Sequence, residues 1–283
     1  MPSQPSPRVR ELLKVIEKLE PLHTELGEPV KGDWLDQHYE PGQTFAEYLD
    51  SNPTTPRAPR RVIYIQPIGA FSKPQDAIIK ATAGALQAYF QLPVKVGNTL
   101  PESVVPSSAR RRHATLGLEQ ILTGYVCDNL LLPALPDDTA ALIGLAATDL
   151  WPGDGWNFVF GQASTEDRVG VWSIHRYGDP AASDAAFRKC LLRTIKTATH
   201  EIGHMFSMLH CTAYECNMGG SNSLEESDRA PLALCSQCIA KLCWAIGCDP
   251  VARYKQLAAF CRKHDLDAER ATYARLAGAL FDR

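Results

Sequence analysis

No stretch of this 283-residue chain stays apolar long enough to cross a bilayer. The opening residues, MPSQPSPRVRELLK, lack the apolar core of a secretion signal. The expectation is a cytoplasmic monomer with no membrane partner. An excess of one charge is missing too, since 29 Lys and Arg against 32 Asp and Glu leave a formal net charge of -3. That balance gives nucleic acid no basic face to bind. The one basic run, Arg110–Arg112, reads as a solvated loop or the start of a helix. Internal repeats are absent, and low complexity is confined to the N-terminal tail, where residues 1–7 are expected to be unstructured. The nine cysteines are an odd number. With no export signal, they argue against a disulfide framework and for metal ligation wherever their spacing is regular.

What is present reads as an α/β (α+β) protein. Apolar residues at Leu12, Leu13, Val15, Ile16 and Leu19 predict a short helix over 8–19. Residues 20–60 are mixed, and SNPTTPRAPR (51–60) reads as a linker. Strands are expected at 61–69, 92–96, 140–147, 156–163 and 169–177, with helices over 76–89 and 115–132. Strands alternating with helices favour a sheet with helices packed on it. A long helix over 184–208 carries Leu191, Ile195, Ala198 and Ile202 on one stripe, opposite His200 and His204. A cysteine-rich loop and further helices follow. Asp249–Pro250 caps one of them, and Tyr273, Leu276, Ala277, Leu280 and Phe281 mark the last.

His200-Glu201-Ile202-Gly203-His204 is an H-E-x-x-H string. On a helix it turns two imidazoles to one side and brings a carboxylate within reach of a water on a shared metal. Such strings also arise by chance on surface helices. His210 extends the string to H-E-x-x-H-x-x-S-x-x-H. On a continuous helix it would point about 240° away from His204. It joins the pair only if the helix stops near Ser207 and the chain turns back; otherwise it is a polar residue at a helix end. Four residues stand between Cys211 and Cys216, and two between Cys235 and Cys238. Such pairs suit a closed tetrahedral thiolate zinc site, the alternative being free or disulfide-bonded thiols. The pairs alone would also fit a zinc module for nucleic acid, against which the acidic balance argues.

The run HEIGHMFSMLHCTAYECNM, followed by GGSNSLEESDRAPLALCSQCIAKL, resembles the archaemetzincins of the metzincin clan. Similarity is dense from His200 to about Leu242 and extends over 60–265. The resemblance implies a metzincin-like catalytic domain with a twisted mixed sheet and packed helices, plus a smaller C-terminal α-rich lobe. Residues 1–55 would then be an N-terminal extension, 56–209 the subdomain with the active-site helix, and 210–283 the C-terminal subdomain. It implies a zinc-dependent peptidase acting on peptides or unfolded proteins, with two zinc ions per chain. His200, His204 and His210 would hold the catalytic ion, with Glu201 as general base. Met218 would form the Met-turn, and Cys211, Cys216, Cys235 and Cys238 would hold a structural ion. Residues 156–163 would be the edge strand to which a substrate adds as a further strand. Cys190 and Cys261 read as small core residues.

One position departs from the pattern. Metzincins carry Gly where this chain has Ser207. A Cβ in a turn with positive φ costs about 1 kcal/mol, so a glycine at 207 is expected to tighten the catalytic zinc. The same serine raises the alternative of a zinc-stabilised binding protein with weak or lost peptidase activity.

Overall fold

The structure is a computed structural model that describes residues 4–281. In chain order its longer helices are α1 Pro7–Leu19, α2 Phe45–Asp50, α3 Lys73–Phe90, α4 Asp184–Met205, α5 Leu224–Arg229, α6 Ser236–Ile246, α7 Pro250–Lys263 and α8 Asp267–Phe281. Its strands are β1 Val62–Ile68, β2 Val94–Val96, β3 Arg110–Arg112, β4 Glu119–Leu122, β5 Thr139–Ala146, β6 Asp149–Trp151, β7 Gly161–Ala163 and β8 Val169–Ser173. The chain falls into two compact units, one made of residues 1–55, 88–91 and 207–283, the other of 56–87 and 92–206.

The second unit is built on a five-stranded sheet in the order β2-β1-β5-β8-β7. Its first four strands are parallel, and β7 runs antiparallel to β8 at the edge. Every residue of β5, TAALIGLA, is buried. That is why it reads as a continuous apolar run, as a parallel strand covered on both faces does. Strands β3, β4 and β6 form a smaller sheet. Ile68, Ile121, Leu131, Leu142, Leu150 and Val171 share one core between these elements.

Three expectations change here. Residues 115–132 are not one helix, because Glu119–Leu122 form β4, and helical turns begin only at Thr123. Tertiary pairing overrides the apolar period. Buried Gln120 donates from Nε2 to Asp149 Oδ2 (2.8 Å) and to Asn157 O (2.9 Å), and Arg176 closes a bidentate pair on the other side of Asp149. Arg110–Arg112 is strand β3, paired with β4, and the Arg111 guanidinium lies 4.4 Å over the Trp151 ring. The strand expected at 156–163 pairs with β8 only over Gly161–Ala163. Upstream, the Phe158 ring packs against the Arg176 guanidinium (3.7 Å) and Phe160 against Tyr177.

In the first unit, α1 begins earlier than expected. Ser6 caps it and Pro7 stands in its first turn, where proline costs no hydrogen bond. Residues 1–3 of the expected unstructured start lie outside the described residues. Leu12, Ile16 and Leu19 are the buried face of α1, which packs on α6. Helices α7 and α8 pair with each other, Tyr254 stacking on Tyr273. Fully buried Arg253 donates to Tyr89 O (2.7 Å) and lies over the Tyr89 ring. Cysteine chemistry differs from expectation at one place: Cys243 and Cys248 are disulfide-bonded, with Cα atoms 4.8 Å apart. Cys190 and Cys261 are free and buried, and burial pushes their thiols up to about 11 and about 12.

Candidate metal centres

Helix α4 is fixed at both ends. Ser183 accepts from Ala186 N (3.1 Å) as N-cap, and Asp184 stands in the first turn, where a carboxylate suits the helix dipole. Leu191, Ile195, Ala198 and Ile202 are buried, as the stripe predicts. Thr194 and Thr199 keep their hydroxyls satisfied by donating to carbonyls four residues back. His200 and His204 come from the last two turns, and their Nε2 atoms approach to 2.9 Å. That is a distance at which one proton or one metal ion can bridge them, given zinc–nitrogen bonds of about 2.0–2.1 Å.

Glu201 is 7% exposed, and burial pushes its carboxyl up to about 8. It lies under β7. A Cβ on Gly161 would stand 2.5 Å from Glu201 Oε1 and 2.9 Å from Cδ, so only glycine leaves room for the carboxylate.

The helix ends at Met205. Ser207 takes φ +60°, the left-handed conformation that usually calls for glycine. Its hydroxyl accepts from Thr54 N (3.0 Å). Gln43 bridges the same turn, donating to Ser207 O (3.3 Å) and accepting from Leu209 N (3.2 Å). Beyond the turn, His210 Nδ1 faces Glu40, with both carboxylate oxygens at 2.9 Å. The Trp34 ring stands edge-on to His210, with centroids 5.3 Å apart.

The next residue, Cys211, begins the second centre. The Sγ atoms of Cys211, Cys216, Cys235 and Cys238 lie within 4.8 Å of one another and all four residues are buried. Cys211 Sγ and Cys235 Sγ are 3.7 Å apart. Tetrahedral zinc–sulfur bonds of about 2.3 Å would set that spacing at roughly 3.8 Å. Cys235 N (3.3 Å) and Met218 N (3.5 Å) donate to Cys216 Sγ, and Cys235 stands at the N-terminus of α6. Lys241 Nζ lies 4.0 Å from Cys238 Sγ. Bonding from Cys216, and then from Cys235 and Cys238, holds the Cys211 sulfur well below the usual thiol range. Burial pushes Cys216 up, and bonding to Cys211 pushes Cys238 up. Four buried sulfurs this close carry their charges together only beside a cation, so the donor set fits a thiolate metal site. Met218 is buried, and its carbonyl accepts from Cys211 N (2.8 Å).

A model of Peptidase family M54 matches residues 137–243, which include both histidine and cysteine motifs. Archaemetzincin-2 of Homo sapiens is 38% identical over 271 residues, covering 85% of this chain and 75% of its own length. The chain belongs to the archaemetzincins. It is therefore a zinc metallopeptidase. An archaeal archaemetzincin, from Thermococcus kodakarensis, is 34% identical over 64% of this chain and 95% of its own length. Among solved structures, the archaemetzincin of Methanopyrus kandleri matches with a TM-score of 0.53 and 28% identity, covering 68% of this chain and 99% of that one. The archaemetzincin of Archaeoglobus fulgidus, complexed with malonate, matches with a TM-score of 0.50 and 27% identity, covering 64% and 99%. The mixed α/β fold of this archaemetzincin accords with both.

Sequence reasoning missed Glu40, Gln43 and Thr54, which carry no motif and meet Ser207 to His210 only through the fold. Gly161 left a signal, since a glycine inside a strand marks a close approach. The expectation for Ser207 in this archaemetzincin also changes. Glycine at 207 would relieve about 1 kcal/mol of strain but leave Thr54 N without its acceptor, a loss of about the same size. Ser207→Gly is therefore expected to change unfolding free energy by less than about 0.5 kcal/mol. Ser207→Ala, which keeps the Cβ and loses the oxygen, is expected to lower it by about 1 kcal/mol. Urea unfolding of the two variants checks this, and an alanine variant as stable as wild type would mean that the hydroxyl contributes nothing.

Proposed function

We propose that this archaemetzincin hydrolyses peptide bonds with one zinc ion held by His200, His204 and His210, and that Glu201 is the general base. The observation that carries the reading is the pairing of His200 and His204 on α4 with a buried Glu201 between them in sequence. His210 is the third member of a set of imidazoles able to hold one ion, and the left-handed turn at Ser207 ends the helix before it. Held by these three histidines, zinc would supply the acidification of a water and the polarisation of the scissile carbonyl. Glu201 takes the proton released as water attacks and hands it to the leaving amine. A second, structural zinc is assigned to Cys211, Cys216, Cys235 and Cys238, a closed donor set with no open position.

Substrate is assigned to the edge of the five-stranded sheet. Strand β7 is its outer strand, and Gly161 on it touches Glu201. An extended peptide added along β7 would run its backbone past the base, with affinity from main-chain bonds and little demand on sequence. The alternative of a binding protein with lost activity rested on Ser207. That residue adopts the conformation a glycine would take, so no observation now favours it.

The test is cleavage of a peptide library with metal counting in parallel. Two zinc ions per chain, and cleavage lost on chelation and restored by zinc, are expected. Full metal content without cleavage of any peptide would overturn the reading. Gly161→Ala supplies a finer check. The added methyl would push the Glu201 carboxylate aside, and a displacement of about 1 Å costs on the order of 10²-fold in rate. Zinc content should not change, and an alanine variant with wild-type turnover would place the base elsewhere.

A further inference from the structure

The third histidine stands outside the helix, so nothing in the helical register orients its ring. We propose that Glu40 is the positioning residue of His210, its carboxylate setting the tautomer and ring angle that turn Nε2 towards the metal. The proposal rests on the reading of His210 as a zinc ligand.

A carboxylate can only accept, so Nδ1 of His210 donates, and both Glu40 oxygens are 2.9 Å from it. A neutral imidazole protonated at Nδ1 presents a lone pair at Nε2. Rotation of the ring is limited further by the Trp34 edge at 5.3 Å. Trp34 is itself seated. Its backbone N–H donates to Glu226 Oε1 (2.8 Å), its ring lies so close to Gly220 that a Cβ there would clash with it, and its ring centroid is 4.1 Å from that of His38. Gln43, three residues after Glu40, clamps the turn that leads into His210. Residues 34–43 thus bond the turn and orient the ring, in the arrangement by which a carboxylate aligns a metal-bound histidine through its second nitrogen.

The experiment measures zinc affinity of the three-histidine site in the full chain by competition with a chromophoric chelator, for Glu40→Ala, Glu40→Gln, His210→Ala and the Glu40→Ala/His210→Ala double variant. The absorption of the cobalt-substituted site and the urea midpoint are recorded for each. Glu40→Ala is expected to weaken zinc about 10- to 100-fold, the range for loss of such a partner, and to alter the cobalt spectrum. Glu40→Gln, whose amide oxygen still accepts from Nδ1, is expected to weaken it less. His210→Ala should be weakest, and the double variant no weaker than His210→Ala alone. Affinity in Glu40→Ala within two-fold of wild type, or additive losses in the double variant, would overturn the positioning role. Should Glu40→Ala fail to fold, Glu40→Gln decides: a weakened site with a shifted cobalt spectrum supports the role, and an unchanged one removes it. If His210→Ala binds zinc as wild type does, the ligand assignment itself fails; if only the Glu40 variants do, that assignment stands and the inference alone falls.

Discussion

Glu201→Ala is expected to lower peptide turnover by about 10²- to 10⁴-fold, the usual worth of a positioned general base, with both zinc ions still bound. Glu201 is proposed to move a proton and not to hold the metal, so rate and metal content should separate. Glu201→Gln is the sharper form. It keeps the shape that fits beneath Gly161, where the carboxylate has no slack, and loses only the ability to accept the proton. The glutamine variant should therefore be as slow as the alanine variant. Turnover within ten-fold of wild type in either one would remove Glu201 from its role. Zinc lost along with activity would make it a ligand or a support for one.

The second large effect is expected at the cysteine cluster. Binding of zinc by a closed thiolate set is itself folding free energy, about 10–16 kcal/mol in small zinc modules, whereas whole domains are stable by about 5–15 kcal/mol. Cys235 stands at the start of α6, its N–H bonds Cys216 Sγ, and its Sγ packs on Cys211. Cys235→Ser should thus lose one zinc per chain and shift the unfolding transition far down or abolish it. Cys261 is the control, being equally buried but outside the cluster, so that Cys261→Ala should cost about 1 kcal/mol and no metal. Equal effects of the two substitutions would mean that Cys235 is only a core residue. An unchanged zinc count in Cys235→Ser would leave the cluster without a ligand role.

Local signals proved readable where local physics decides. The apolar run of β5, the stripe of α4 and the Asp249–Pro250 cap of α7 each lie where pattern puts them. The four cysteines converge, each pair kept together by its short spacing. Legibility fails where partners are distant. Strand β4 took a helical period in sequence because its pairing with β3 and β6 and the buried Gln120–Asp149 bond come from elsewhere in the chain. The edge strand shrank because Phe158 and Phe160 found Arg176 and Tyr177. The supports of His210 were invisible for the same reason. Glu40, Gln43 and Thr54 are ordinary polar residues until the chain brings them to the turn.

Those supports bear on what can be cut away or transplanted. The segment that marks the family, residues 137–243, contains every proposed ligand, and a chain trimmed to begin at Pro56 would keep them all. It would also keep Ser207 in a left-handed turn while deleting the amide of Thr54, the bridge of Gln43 and the carboxylate of Glu40. Glycine at that corner needs no outside help, whereas serine depends on a segment about 150 residues away. In this chain the H-E-x-x-H string, with the zinc role proposed for it, is therefore not a portable cassette. Its last corner and its third histidine belong structurally to the first 55 residues, and a minimal catalytic fragment has to carry both ends.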